Sequence, residues 1–183
     1  TNTHAGAVAH VAIENARSVC EEHYGLFRAP PVQLVCPPNL MFMYMPSHLN
    51  HMIFELMKNS LRAVVERYGV EREDHYPPIK VIVVEGKEDI TIKISDEGGG
   101  IPRSEVPLVW TYTYTTARPD DLDPDFQTSD FLAPMAGFGY GLPLARLYAR
   151  YFGGDLKLIS MEGYGTDVYL HLNRLSSSSE PLP

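Results

Sequence analysis

The sequence predicts an α/β fold. Segments with apolar residues at helical spacing alternate with short segments of strict apolar–polar alternation, and Gly or Pro stands at most junctions between them. The length of 183 residues, at 20.5 kDa, suits one ordinary domain and is short for two. Hydrophobic residues make up 44% and charged residues 21%, a globular composition.

The elements follow in order. Residues 5–24 are rich in Ala, Val and Glu, with Val8, Val11, Ala12 and Cys20 at helical spacing. Ala29-Pro30-Pro31 breaks the chain, and 32–36 reads as a short strand. Pro37-Pro38-Asn39 leads into the apolar run 41–45, whose methionines we read as core filler, not as the lining of a ligand or partner site. The clearest helix runs from Ser47, a candidate N-cap, to a stop at Gly69, with Leu49, Ile53, Leu56, Leu61, Val64 and Tyr68 as its apolar face. Residues 79–84 and 89–95 alternate as two strands around a turn at 85–88. A short helix is expected near 106–110, and 111–136 has no clean period but carries five aspartates. A loop of that length is usually functional or mobile, and we expect it to act as a lid. A helix at 142–152, with Pro143 in its first turn, precedes two closing strands at 156–160 and 166–172.

Composition narrows the functional classes. The net charge is −8 and no Lys/Arg cluster offsets it, so nucleic acid is not an expected partner. No apolar run approaches the roughly 20 residues of a membrane span. Cys20 and Cys36 lack CxxC spacing and read as reduced, packed thiols of an intracellular protein. Thr1-Asn2-Thr3 carries no initiator Met and no presequence pattern, so we expect a piece of a longer protein.

The long helix bears His51, Glu55 and Asn59 at steps of four, one slanted stripe beside the apolar face. An Asn oxygen suits Mg²⁺, and a Glu one turn away can take a hydroxyl proton, with His51 to tune it. A solvated helix face explains the same three residues, and the stripe alone decides nothing. Asp96 is more telling. It shares parity with Ile90, Ile92 and Ile94, so it emerges from the buried face at the end of its strand. A buried carboxylate needs a donor, and the exocyclic amine of a purine would serve. Gly98, Gly99 and Gly100 then let the backbone turn sharply against a ligand. Gly137-Phe138-Gly139-Tyr140-Gly141 precedes a helix N-terminus, a weak anion-site signal that matches neither a P-loop nor a dinucleotide fingerprint. Thr166 shares parity with Val168, Leu170 and Leu172, so its hydroxyl should face inward, near Asp96 if the strands are neighbours.

These four elements in this order resemble the GHKL ATP-binding fold shared by Hsp90, DNA gyrase, MutL and histidine kinases, over roughly residues 47–175. The N box is matched by Glu55 to Asn59, the glycine boxes by Asp96-x-Gly98-x-Gly100 and Gly137-x-Gly139-x-Gly141, and the last box by Gly163-Tyr-Gly165-Thr166. The longer strings ELMKNSLRA, SDEGGGIP, AGFGYGLPLARLYARYFGGDL and SMEGYGTD are similar to the mitochondrial pyruvate dehydrogenase kinases, and the terminal EPLP to their plant-type members. Branched-chain α-ketoacid dehydrogenase kinase is close, but GFGYG and SMEGYGTD favour the former.

The resemblance implies a two-layer α/β sandwich, a mixed sheet with helices on one face. It implies ATP or ADP with Mg²⁺, and allows K⁺. Asn59 would hold Mg²⁺, Glu55 with His51 would activate the substrate serine, and Asp96 would recognise adenine. Lys58 and Arg62 would lie near phosphates, Thr115 and Thr116 near the nucleotide, and Gly137, Phe138, Gly139, Tyr140, Gly141 and Leu142 would form the lid hinge. The implied partners are the E1 component and the lipoyl domain of the E2 component of the pyruvate dehydrogenase complex, with a homodimer in the full-length protein and the mitochondrial matrix as location. On this reading residues 1–46 are the helix and first strand entering the domain, 47–175 the ATP-binding kinase domain, and 176–183 a polar tail. Apart from residues 5–24, the sequence has no match to the family's N-terminal bundle, nor to the longer tail of animal members. We therefore expect these residues alone to bind nucleotide and to phosphorylate E1 poorly. A GHKL ATPase that drives conformational change and a histidine kinase domain are the rival readings; His4 and His10 lack an H-box context.

Overall fold

The computed structural model describes residues 2–110, 141–151 and 153–173. The expected lid 111–136, Thr115, Thr116, Gly137, Phe138, Gly139, Tyr140 and the tail 176–183 lie outside the described residues. In chain order the elements are β1 (Asn2–His4), α1 (Ala5–Tyr24), β2 (Val32–Val35), β3 (Met41–Met43), α2 (Pro46–Tyr68), β4 (Ile79–Glu85), β5 (Asp89–Asp96), α3 (Gly141–Tyr151), β6 (Asp155–Met161) and β7 (Gly165–Asn173). Short 3₁₀ segments occupy Val70–His75, kinked at Arg72, and Val106–Trp110.

Five strands form one sheet in the order β2-β4-β5-β7-β6. The β2–β4 pair is parallel and the other pairs are antiparallel, so the sheet is mixed. In β5 the period of two is unbroken: Ile90, Ile92, Ile94 and Asp96 are buried, while the residues between them are half-buried. The buried side of the sheet carries α2 and α3, and α1 lies against α2. Lys80 and Val84, on the other side of β4, are exposed. A mixed sheet with helices on one face is the expected arrangement. Among the described residues no helix is long and apolar enough to cross a membrane.

The α2 helix is buried on more than the one face expected. Met52, Met57 and Val65 join Leu49, Ile53, Leu56, Leu61 and Val64 in the core, and Tyr68 is half-buried. Sandwiched between α1 and the sheet, the helix gains about 1.5–3 kcal/mol from each large apolar side chain it buries. That outweighs a missing cap of about 1 kcal/mol. The cap is indeed missing. Met45, not Ser47, occupies the N-cap, without a side-chain hydrogen bond, and Pro46 takes the first helical position. Gly69 ends the helix, with φ 86°.

Two further expectations change. On α1 the buried stripe is Ala5, Ala9, Ala12, Ile13, Ala16 and Cys20, whereas Val11 is half exposed. Alanine at the contact brings α1 close to α2. The methionines at 41 and 45 are exposed, and Phe42 and Tyr44 are buried instead, stacked with centroids 5.4 Å apart. The cause is a pairing that short apolar runs do not advertise: β3 forms a two-stranded ribbon with β1, and the alternation of an extended chain buries the rings. His4, at the end of β1, caps α1 by accepting from the Ala7 N–H at 3.0 Å. Both cysteines are free thiols, Cys20 buried and Cys36 half-buried.

Candidate nucleotide site

Asp96 is the last residue of β5, and its side chain lies on the helix-covered face, 6% exposed. Its register partner on β7 is Thr166, 8% exposed. The carboxylate accepts from the Gly98 N–H at 2.9 Å, and the Ser60 hydroxyl on α2 and the Thr166 N–H also favour its charged form. Burial pushes its carboxyl up to about 6, against the lowering pull of those three groups. A carboxylate offers about four lone-pair sites. The bond from Gly98 leaves acceptor capacity unused, in a place where an unmatched charge is costly.

The turns around Asp96 are held by contacts that only glycine permits. A Cβ on Gly98 would collide with the backbone and side chain of Ala63 on α2, and one on Gly165 with the carbonyl of Asp96. Gly99 and Gly100 have φ of 93° and 72°, in the left-handed region. The Gly99 N–H donates to the Tyr164 carbonyl at 3.0 Å, and the Gly163 N–H to the Gly99 carbonyl at 2.7 Å. Beyond Gly100, the Ile101 N–H donates to Ser160 Oγ on β6 at 2.7 Å.

Above this floor runs α2. His51, Glu55 and Asn59 are each half-buried on it. Glu55 Oε1 pairs with Lys58 Nζ at 3.0 Å, and the ammonium also lies 4.9 Å from the centroid of the Phe54 ring. Lys58 is 7% exposed and Arg62 is 9% exposed, its Nε donating to Glu66 at 2.9 Å. The stripe thus combines hard oxygen donors with two nearly buried cations, a set suited to a polyanion with its counter-ion.

Residues 45–176 match the family described as histidine kinase-, DNA gyrase B- and HSP90-like ATPases. The chain belongs to this ATPase family. ATP is the nucleotide of such a domain, and the domain's first matched residue lies at the start of α2. The ATPase domain is also similar to longer proteins. It is 64% identical over 173 residues to the mitochondrial pyruvate dehydrogenase (acetyl-transferring) kinase of Schizosaccharomyces pombe, covering 93% of this chain and 40% of that one. It is 57% identical to the Arabidopsis thaliana kinase of the same name, covering 96% and 48%. Against pyruvate dehydrogenase (acetyl-transferring) kinase isozyme 3 of Homo sapiens the identity is 49%, covering 94% and 42%. The chain spans less than half the length of these relatives.

Within the ATPase domain, the structure brings Asp96, Gly98 and Thr166 to one place beneath α2. Gly100 adjoins the Met161 carbonyl at the end of β6. Of the second glycine run, Gly141 opens α3 and Leu142 packs half-buried on the core. The described partners of Lys58 are Glu55 and Phe54. Two residues escaped the sequence reading. Ser60 stands four residues after Leu56, a polar side chain in an apolar register, and that mismatch was a usable signal. Arg67 gave none, since an Arg in the last turn of a helix is commonplace.

Proposed function

We propose that the chain is the nucleotide-binding domain of a serine protein kinase that phosphorylates, and so inactivates, the E1 component of the pyruvate dehydrogenase complex in the mitochondrial matrix. The observation that carries the nucleotide part is the buried Asp96 carboxylate, which accepts from the Gly98 N–H and keeps acceptor capacity on the side of the sheet that α2 covers. The names of the relatives support the substrate and the compartment.

In this reading the adenine amine donates to Asp96, with Thr166 beside it, and Gly98 and Gly100 let the base approach the backbone. Asn59, one turn beyond Glu55, is the residue that would hold Mg²⁺, whose charge offsets that of the phosphates when it is bound. Glu55 takes the proton of the acceptor serine, and His51 orients it. Lys58 and Arg62 add positive potential beside the phosphates; Thr115 and Thr116 would lie near the nucleotide, and Gly137, Phe138, Gly139, Tyr140, Gly141 and Leu142 would form the lid hinge. The E2 lipoyl domain and a second copy of the full-length protein are partners supported by the resemblance alone.

Phosphoamino-acid analysis of E1 after incubation with the intact protein and ATP tests this reading. Acid-stable phosphoserine on E1 is expected. Acid-labile phosphohistidine on the protein itself, or release of phosphate with no labelled E1, would replace the reading by a histidine kinase or an ATPase. Labelling of the branched-chain E1 in preference to pyruvate dehydrogenase E1 would move the substrate to the neighbouring complex.

A further inference from the structure

Arg67 stands in the last turn of α2, exposed, four residues beyond the Ala63 that packs on Gly98. Its guanidinium donates to three main-chain carbonyls: Nη1 to Glu97 at 2.9 Å and to Tyr164 at 2.7 Å, Nη2 to Gly163 at 2.9 Å. Its stem lies against Gly99, and its head lies 5.4 Å from the centroid of the Tyr68 ring. An exposed Arg in a helix usually makes a screened ion pair of little worth. This one instead spans two turns far apart in sequence. One turn follows Asp96 and the other precedes Thr166.

We infer that Arg67 is a positioning residue for the adenine subsite, strapping the turns at 97–100 and 162–165 to the end of α2 so that Asp96, Thr166 and Ser60 keep their spacing before nucleotide arrives. The inference rests on the reading of Asp96 as the acceptor of the adenine amine. Both turns are glycine-rich, and Gly99, Gly100 and Gly163 adopt positive φ. Glycine loses more backbone freedom than other residues when it is ordered. A strap that orders the turns in the free protein removes that cost from binding. The fixed fork of an Arg can meet three carbonyls at once, whereas the point charge of a Lys cannot hold the same geometry.

The test is calorimetric titration of the intact protein with ADP and with purine riboside diphosphate, which lacks the exocyclic amine. Wild type, Arg67→Ala, Arg67→Lys, Asp96→Asn and the Arg67→Ala/Asp96→Asn double variant are compared. Arg67→Ala should weaken ADP roughly tenfold, the scale of a lost preorganisation, and the amine-less analogue much less. Arg67→Lys should lie closer to Arg67→Ala than to wild type. In the double variant, removing Arg67 should add little to the loss caused by Asp96→Asn. Equal weakening of both nucleotides by Arg67→Ala, or full additivity, would make Arg67 merely structural and overturn the inference. If Asp96→Asn removes the preference for ADP and Arg67→Ala keeps it, the strap alone falls. If Asp96→Asn also keeps the preference, the adenine assignment falls and the strap with it. Should Arg67→Ala not fold, amide hydrogen exchange in Arg67→Gln decides: faster exchange at Gly99 and Gly163 is expected, and unchanged protection there overturns the inference.

Discussion

Asp96 and Thr166 stand opposite each other across the β5–β7 pair, both nearly buried on the side of the sheet that α2 covers. Residues 70 positions apart are thereby joined into one polar spot in an apolar layer. A hydrogen bond from the Gly98 amide holds the spot to the turn beyond, and Ser60 on the helix above favours the carboxylate's charge. The proposed recognition of a purine follows from how few groups share it.

The first prediction concerns protons. The Asp96 carboxyl is raised from 3.8 to about 6, so the folded protein holds this proton more tightly than the unfolded chain does. Between those values the folded state binds more protons, and stability falls as pH rises; above about 6 the loss is complete and constant. Two pH units correspond to on the order of 3 kcal/mol. Urea midpoints between pH 4.5 and 7.5 should show this decline relative to Asp96→Asn, which lacks the titrating group. Parallel curves for the two proteins would mean that Asp96 does not titrate as described. ADP affinity should move the opposite way, rising through pH 6 in wild type and staying flat in Asp96→Asn.

Much of this spot was legible in the sequence, because strand parity is rigid. Asp96 follows Ile90, Ile92 and Ile94 by even steps, and Thr166 precedes Val168 by two, so one alternation settles both directions. The helix boundary at Tyr68 was legible from Gly69, which ends the helix with positive φ. What failed depended on neighbours. The exposure of the methionines at 41 and 45 follows from β3 pairing with β1, which no local pattern announces. Ser47 lost the cap because Pro46, one residue earlier, could already serve as the first helical residue. Arg67 acts on carbonyls 30 and 97 residues away.

The second prediction separates two glycines of one turn. Gly163 has φ 82° but open space around its Cβ direction, so Gly163→Ala should cost about 1–2 kcal/mol from conformation alone. In Gly165→Ala the new Cβ meets the Asp96 carbonyl in the strand ladder, and strands must part. A loss of more than about 3 kcal/mol is expected, judged by overpacking costs. Thermal melts of the two variants, without nucleotide, measure the difference. Equal losses would contradict the close approach of β5 to Gly165.

A third prediction follows from the Glu55–Lys58 pair, whose side chains are 17% and 8% exposed. Glu55→Gln leaves a nearly buried ammonium without its counter-charge. That should cost about 1–3 kcal/mol, below the 3–5 kcal/mol of a fully buried pair. Adding Lys58→Met keeps the packed stem and removes the charge, so the double variant should recover most of the loss. A double variant no more stable than Glu55→Gln would show that the pair contributes nothing to the fold.

The fourth prediction is for Asn59, the residue assigned to Mg²⁺. Asn59→Ala should weaken ATP binding in the presence of Mg²⁺ and leave it unchanged in EDTA. Equal losses in both conditions would make the Asn59 amide a structural group of α2.

A structure of the protein with ADP tests the central claim most directly. We predict the adenine amine within about 3 Å of an Asp96 carboxylate oxygen, the ring beneath α2 beside Thr166, and the phosphates directed toward Asn59. An adenine ring seated elsewhere, with Asp96 bonded only to protein groups, would contradict it.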